Sequence, residues 1–521
     1  MINGKMHRIN IKILLLSLLI PIFFFLISLC TINDYGETTD EKFDQHIGEF
    51  YYNQWKEKGA KGLEQRFIPL QRNYGPFFDK IAVSSNDILY KKLNIIRNPV
   101  ASYHFPVIII SVIAIWIVFV FSYYNWGLIP AFLSSLTLAL LPRFIGDSQN
   151  NLKDIPLMTF FSISLLLYYF SILKNKVVLY ILAGVFLGLT YAIKINALII
   201  IPIVTSWFLL TTKLNLKKFI NFIIRFCISI LVAFYTILVV WPYYRYNVLT
   251  RFLETFLTFK NHVWNEYILY LGQLYRGHEV PWHYPIIMFG VTTPIFYLFF
   301  FILGIFLSLY LIKKSLTYKK PLVFILLWLI FPPLTQIISR SPMYDGIRHF
   351  LVILPPMSIL VGFTVYQFGI SVKKLYKKNL NAYYFFILII SIGYLNLLLI
   401  NIFLHPYQIV YFNELTGGIR GAYNKFDLDY WGSSLKEAAE WVNNNLPSGS
   451  KIYMPLHMEH HFPIDQSRFS FVNENADYKV NIIRGMLYTW DPEEKDYLYP
   501  SRKPIYSVKI DGVSVLNIFK Y

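Results

Sequence analysis

Seven consecutive residues, Tyr344-Asp345-Gly346-Ile347-Arg348-His349-Phe350, stand between two long apolar runs and set a carboxylate, a guanidinium and an imidazole at the edge of hydrocarbon. Charged groups at that depth are costly and persist where they face a cavity, a partner or a polar ligand. Three other places repeat the pattern: Asp40-Glu41, the stretch from Asp147 to Asp154, and Lys194. A planar guanidinium suits bidentate binding of a phosphate. A carboxylate partly removed from water has a raised pKa and can take the proton of a hydroxyl or amine.

Each place also has a structural use. Thr38-Thr39-Asp40-Glu41 fits a capping box, in which Glu41 satisfies backbone donors and Asp40 only favours the helix dipole. On the motif alone, capping and catalysis are evenly balanced. Asp154, with Pro156 two residues on, is placed to cap the helix that follows. Asp147, Asn150, Asn151 and Lys153 have no such use, and this short loop, which begins near Arg143, suggests a polar ligand. Lys194 interrupts two apolar runs and is expected to meet a phosphate, as are Arg348 and His349. His262 and His283 can orient phosphate or sugar, or can be surface histidines; the aromatic residues near them and in Trp241-Pro242-Tyr243-Tyr244 read mostly as an interfacial belt. Glu459 with His457, His460 and His461 lacks a convincing ligand spacing, so no metal site is expected there.

The elements that carry these groups must cross a membrane. The chain of 521 residues is 55% hydrophobic and 18% aromatic but only 15% charged, too apolar for a soluble domain and too long for one anchor. Its formal charge of +18 comes from lysines clustered between apolar runs, which speaks for cytoplasmic loops and against nucleic acid. Cys30 and Cys227 both lie in apolar segments and offer no disulfide framework or thiolate metal site. Apolar runs near the ~20 residues that span a bilayer fall at about 13–31, 105–124, 127–145, 155–172, 177–193, 195–212, 219–241, 285–312, 321–338, 350–370 and 382–404. About eleven transmembrane helices are expected.

With Lys5, Arg8 and Lys12 on the cytoplasmic side, alternation puts Lys174 and Lys176, Lys213 to Lys218, Lys313 to Lys320 and Lys373 to Lys378 inside too. The segments 32–104, 145–154, 242–284, 339–349 and 405–521 are then outside, with all four charged places. The first run is read as an uncleaved helix, since Leu29 precedes Cys30 where a lipoprotein leader needs a small residue. Phe43, Ile47, Phe50, Tyr51 and Trp55 recur at helical spacing and predict an amphipathic helix on the outer leaflet.

Residues 1–404 thus read as a membrane domain and 405–521 as a small extracytoplasmic α/β domain. The latter holds a helical pattern from Ser433 to Asn445 and strand-like runs at Lys451–Met454, Asp477–Ile483, Ile505–Val508 and Val513–Ile518.

Asp-Glu after the first helix, an acid in the next outer loop, Ile193-Lys194-Ile195-Asn196-Ala197, Trp282-His283-Tyr284-Pro285 and the Tyr344–Phe350 segment are joined by His405-Pro406-Tyr407-Gln408 and Asp427-Leu428-Asp429-Tyr430-Trp431-Gly432. Together, over residues 10 to 435, they resemble the GT-C superfamily of membrane glycosyltransferases, in particular the branch related to protein O-mannosyltransferases and lipid A aminoarabinose transferases. The resemblance implies a polytopic α-helical GT-C-like fold. It implies an inverting transferase that moves a sugar from a polyprenyl-phosphate donor to a glycan, lipid or protein acceptor on the outer face. Asp40 would deprotonate the acceptor with Glu41 beside it, and Asp147 or Asp154 would be the second acid. Lys194 and Arg348, with His349 and Arg143, would hold the donor phosphate, while Asn150, His262, His283 and Asp345 would contact substrate. No metal is assigned, although two acidic loops would accommodate a divalent cation. A bacterial inner membrane with a periplasmic site is the expected location. A transporter or flippase for an anionic or lipid-linked solute is the alternative; it predicts charges deep within broken spans. A non-catalytic scaffold explains neither Lys194 nor the Arg348-His349 pair.

Overall fold

Hydrocarbon leaves backbone N–H and C=O groups no partners but each other, so long apolar runs must be helical. A computed structural model describes residues 10–213, 215–376, 380–484 and 503–521, except for the side chains of Leu456 and His457. Lys5, Arg8, Lys377 and Lys378 lie outside the described residues.

Among these residues, eight helices are long and apolar enough to cross a membrane: Ile11–Thr31, Pro99–Trp126, Asp154–Lys174, Leu216–Val240, Ile295–Lys314, Leu316–Ser339, Arg348–Leu375 and Leu380–Phe403. Leu128–Ala139 and Pro142–Asn150, bent by 64°, make a ninth if they are one span. Val177–Tyr191 and Ile195–Thr211 are shorter apolar helices where the fifth and sixth spans are predicted. The chain is a polytopic membrane protein. The helices at 99–126, 154–174 and 348–375 form the interior, while Ile11–Thr31 and Leu380–Phe403 turn Phe23, Leu26, Phe385 and Ile392 outward.

Two predicted spans are broken, for one reason. The run 127–145 turns at Leu141, which is extended (ψ 120°) before Pro142. The run 285–312 is two helices, Tyr284–Thr292 and Ile295–Lys314, separated where Thr293 is extended (ψ 130°) before Pro294. A proline's ring disfavours helical backbone in the residue before it, and its missing N–H breaks the ladder.

The predicted amphipathic helix is Glu41–Glu49, continued through a wide turn at Phe50–Gln54 into Trp55–Arg66. Its apolar face is not presented to lipid. Ile47 and Phe50 are buried, and the helix packs on Phe77–Ser85. Trp241, Tyr243, Tyr244 and Tyr284 are likewise buried in the core rather than forming a belt, whereas Trp282 is exposed. The 242–284 segment also holds a hairpin, β1 (Tyr267–Tyr270) and β2 (Gln273–Arg276), that the aromatic pattern concealed.

Near the C-terminus the helix Leu435–Asn445 lies on a sheet of β3 (Lys451–Tyr453), β4 (Ser470–Phe471), β5 (Tyr478–Ile482), β6 (Tyr506–Ile510) and β7 (Val513–Lys520), in the order β4-β3-β5-β7-β6. β3 is parallel to both neighbours and β7 antiparallel to both. Trp441 of the helix stacks on Tyr506 of β6 with ring centroids 4.6 Å apart. β4, two residues long, carries too little pattern to be foreseen.

Val177–Tyr191 packs on Leu216–Val240 through Gly184 and Gly188, four residues apart on one face. A Cβ on Gly184 would stand 2.3 Å from the Ser229 carbonyl oxygen, and one on Gly188 would stand 2.6 Å from that of Ala233. Small residues let membrane helices approach this closely, and packing is their main source of attraction. Gly188→Leu is therefore expected to lower the melting temperature and folded yield in detergent, costing about 1–3 kcal/mol or more. Leu182→Ala, at a half-exposed position on the same helix, should change neither.

Candidate functional site

The four charged places meet at one end of the helix assembly. Asp40 occupies the N-cap position of Glu41–Glu49 but caps nothing with its side chain. Instead it accepts from Arg348 Nη1. Capping falls to Glu41, whose carboxylate accepts from the Thr38 amide at 3.2 Å and also meets Gln45 Nε2 and His104 Nε2 at 3.0 Å. Glu41 is thus buried behind the helix, away from the cavity that Asp40 lines.

Arg348 is divided between two acids. Its Nη2 lies 3.0 Å from Asp345 Oδ2, and the other oxygen of Asp345 accepts from Arg484 Nη2 at 2.7 Å. Asp345 and Gly346 adopt consecutive left-handed conformations (φ +55° and +65°), a turn that glycine and aspartate tolerate better than most residues. That turn sends the Asp345 carboxylate inward and lets the Gly346 N–H donate to Tyr284 Oη at 3.0 Å. The guanidinium of Arg348 lies over the rings of Trp431 and Tyr344, at 5.1 and 5.3 Å. The Thr39 N–H donates to the Trp431 carbonyl at 3.1 Å, which ties the start of the Asp40 helix to the 405–435 stretch.

Asp154 does not cap its helix either. Asn151 Oδ1 accepts from the amides of Lys153 and Asp154 at 3.1 and 2.7 Å, so the Asp154 carboxylate is left to pair with Lys194. Lys153 turns the other way, between Asp79 and Asp44, 3.6 Å from Asp44, and donates to the Gly75 carbonyl at 2.9 Å.

Two cavities adjoin here. One, of about 260 Å³, is lined by Asp40, Asp44, Lys153, Asp154, Lys194 and Arg348 with aromatic walls from Phe43, Tyr74, Trp264, Tyr344 and Trp431. The other, of about 370 Å³, has apolar walls from Leu157, Phe161, Ile199, Phe256, Phe259 and Val352 and, among its polar lining, Lys194, Lys260, His262, Gln336 and His349. Lys194, Tyr74 and Tyr344 line both. Nε2 of His262 and Nε2 of His349 are buried with no hydrogen-bond partner among the described residues.

Of the residues singled out in the sequence, Asp40, Asp154, Lys194, Arg348, His349 and His262 come together here. Others do not line either cavity. Arg143 is buried against Phe412 and Tyr430 and donates to the Tyr411 carbonyl at 3.2 Å. Asp147 accepts from Asn151 Nδ2 at 2.8 Å, behind the site. Asn150 donates to the Gly36 carbonyl at 3.2 Å, and His283 meets Tyr270 Oη at 2.7 Å. Asp345 is enclosed by its two arginines. Between Asp147 and Asp154, only Asp154 reaches a cavity.

Sequence reading missed Asp44, Asp79, Tyr74, Lys260, Trp264 and Arg484. Asp44 and Asp79 each sit on the buried face of an amphipathic helix, a polar residue in an apolar position, and that mismatch was the available signal. Among the described residues, no group of three or more His, Cys, Asp or Glu side chains is arranged to hold a metal ion.

Burial pushes the Asp40 carboxyl up, but Arg348, with Arg484 and Lys194 further off, outweighs it and holds the group below the usual carboxylate range. Asp345 is raised by burial despite Arg484 and Arg348. Asp44 and Asp79 share one ammonium between two buried carboxylates. Burial raises both, Asp79 to about 6.

Residues 92–243, under a third of the chain, match the family model described as dolichyl-phosphate-mannose-protein mannosyltransferase. No curated protein sequence matches the chain. The structure is similar to that of ArnT from Cupriavidus metallidurans bound to undecaprenyl phosphate, with a TM-score of 0.51 at 13% identity over 98% of each chain. It is also similar to an oligosaccharyltransferase from Archaeoglobus fulgidus tethered to an acceptor peptide, with a TM-score of 0.51 at 12% identity over 90% of this chain and 69% of that one. The chain spans 58% of the AglB oligosaccharyltransferase of Archaeoglobus fulgidus in complex with an inhibitory peptide and a dolichol-phosphate, at 13% identity over 83% of this chain and a TM-score of 0.49. The chain has the fold of the GT-C superfamily of membrane glycosyltransferases.

The shared ammonium gives a pH signature. An aspartate whose pKa is raised by folding stabilises the fold fully below its unfolded value near 4, and that contribution is lost as pH rises through its folded value. For Asp79 the window is therefore about pH 4 to 6. Asp79→Asn leaves Lys153 to Asp44 alone, so its melting temperature relative to the native protein should climb across that window and then level off. A difference that stays constant with pH would mean that Asp79 is ionised throughout.

Proposed function

We propose that the protein is an inverting glycosyltransferase that takes a sugar from a polyprenyl-phosphate donor and passes it to an acceptor on the outer face of a membrane. The observation that carries this reading is the pair of adjoining cavities: one with largely apolar walls that also include two lysines and two histidines, one lined by carboxylates and aromatic rings, sharing Lys194, Tyr74 and Tyr344. The prenyl chain of a donor matches the apolar walls, and its phosphate matches Lys194, Lys260 and the free ring nitrogens of His262 and His349. The sugar then projects toward Asp40. The undecaprenyl phosphate in the ArnT structure of the same fold supports a lipid-phosphate donor.

In the proposed step, the acceptor oxygen attacks the anomeric carbon while Asp40 takes the acceptor's proton. The bond from that carbon to the phosphate oxygen breaks on the opposite side, and the electron pair leaves with polyprenyl phosphate. Negative charge grows on the leaving phosphate. Cations already fixed in a low-dielectric site stabilise it without having to reorganise. Arg348, assigned to the donor phosphate by resemblance, has both terminal nitrogens on carboxylates and lines only the acidic cavity. We assign it to orienting Asp40 and keeping it ionised. Asp154 holds Lys194 at the junction. The aromatic walls of the acidic cavity suit the apolar faces of a sugar ring.

The charges gather at one end of the helices, which favours transfer at a boundary over transport through the midplane. The test is transfer of radiolabelled sugar from undecaprenyl-phosphate-linked hexoses and pentoses to cell-envelope membranes, at matched expression. Asp40→Asn should reduce transfer by about 10²-fold or more, as expected for loss of a general base, while retaining binding of undecaprenyl phosphate. Lys194→Met should weaken that binding as well. Equal transfer by native protein and Asp40→Asn would return Asp40 to a structural role.

A further inference from the structure

We infer that Arg484, which follows β5 of the C-terminal sheet, is a positioning residue that sets, through Asp345, how firmly Arg348 holds Asp40. This rests on the reading of Asp40 as the base and deepens it. Four charged groups alternate in sign along one line of contacts. Arg484 Nη2 donates to Asp345 Oδ1 at 2.7 Å, Asp345 Oδ2 is 3.0 Å from Arg348 Nη2, and Arg348 Nη1 donates to Asp40 Oδ2. The side chains of Arg484, Asp345 and Arg348 are 7%, 5% and 8% exposed, whereas that of Asp40 is 47% exposed. Arg348 and Asp40 both line the acidic cavity, and of the four only Asp40 is substantially exposed.

The physical argument concerns how one guanidinium is shared. Arg348 faces two carboxylates, and at low dielectric its attraction to each depends on the charge that other groups leave uncompensated. Arg484 compensates Asp345, so Arg348 remains available to Asp40. Without Arg484, the buried line carries an excess negative charge, Asp345 draws Arg348 toward itself, and Asp40 binds a proton at higher pH. Without the charge of Asp345, Arg348 belongs to Asp40 alone, and Asp40 binds a proton at lower pH. Removing both charges restores the balance. Among the described residues, the other titratable or charged groups around Asp40 are Asp44 on its own helix, Asp154 with Lys153 behind it, Lys194, Tyr74, Tyr344, His349 and His461, while Glu41 lies behind the helix. All of these are common to every variant, His461 included, so they do not distinguish one variant's midpoint from another's.

Carbodiimide attacks protonated carboxyls, so the pH dependence of Asp40 labelling, read by peptide mass spectrometry on the full-length protein in nanodiscs, reports its midpoint without any substrate. Arg484→Gln should raise that midpoint by roughly half to one pH unit and Asp345→Asn should lower it, while the double variant should return near the native value. The acidic limb of kcat for sugar transfer should move in the same directions, with little change in KM. Arg484→Lys, which keeps the charge but loses the fork, should fall between native and Arg484→Gln. Structural loosening would move both single variants the same way and the double variant further still; that pattern, or an unmoved midpoint in Arg484→Gln, would overturn the inference. If the midpoints shift in opposite directions while Asp40→Asn still transfers sugar, the coupling stands and the reading of Asp40 as base falls.

Discussion

The constraint on which the site depends is the cost of taking charge out of water. Asp345, Arg348 and Arg484 are almost fully buried, and each ion so placed costs several kcal/mol unless partners and geometry offset it. The alternating line Asp40–Arg348–Asp345–Arg484 meets that cost collectively, since no member lacks an opposite charge. It also dictates architecture. The left-handed turn at Asp345-Gly346 aims the carboxylate inward, Trp431 and Tyr344 flank the guanidinium, and the chain must return from the C-terminal sheet to deliver Arg484. Removing one partner of a buried pair leaves an uncompensated charge, which typically costs 3–5 kcal/mol. The ends of the line therefore hold helices and sheet together as well as shaping the cavity.

A second set of charges is balanced less completely. Lys194 has Asp154 to itself, but Lys153 serves both Asp44 and Asp79. Both lysines border the acidic cavity, and Lys194 alone of the two reaches the apolar one. In the proposed reaction this asymmetry separates two tasks. Lys194 stands at the junction where a leaving phosphate would develop charge, while Lys153 braces the acidic wall. The free imidazole nitrogens of His262 and His349 add hydrogen-bonding capacity on the apolar side without adding fixed charge to hydrocarbon.

Much of this was legible in the sequence, for identifiable reasons. Hydropathy located most of the helices, because an apolar run long enough to span a bilayer satisfies its own backbone groups only as a helix. It reads as continuous through the breaks at Leu141 and Thr293, since prolines also lie inside the unbroken helices Pro99–Trp126 and Leu316–Ser339. The Tyr344–Phe350 segment, Lys194 and Asp40 stood out because charge beside long apolar runs has few structural excuses. The capping roles were legible only as alternatives. Glu41 and Asn151 do the capping, and Asp40 and Asp154 are released to pair with cations; which acid does which depends on partners 40 to 308 residues away. Arg143, Asp147, Asn150 and His283 shared the composition of site residues, yet Arg143, Asn150 and His283 contact backbone and aromatic groups, and Asp147 the Asn151 side-chain amide, behind it.

By itself the sequence determined that this chain crosses a membrane many times, where its helices lie, and which short segments bring ionisable groups to their ends, because these follow from local apolar content and the solvation cost of charge. Tertiary structure alone decided that Asp40 meets Arg348, that Lys194 stands between two cavities, and that Arg484 reaches the same line of charges. Those pairings join residues far apart in the chain, and electrostatic attraction in a desolvated interior depends on distance in space, which no local pattern encodes.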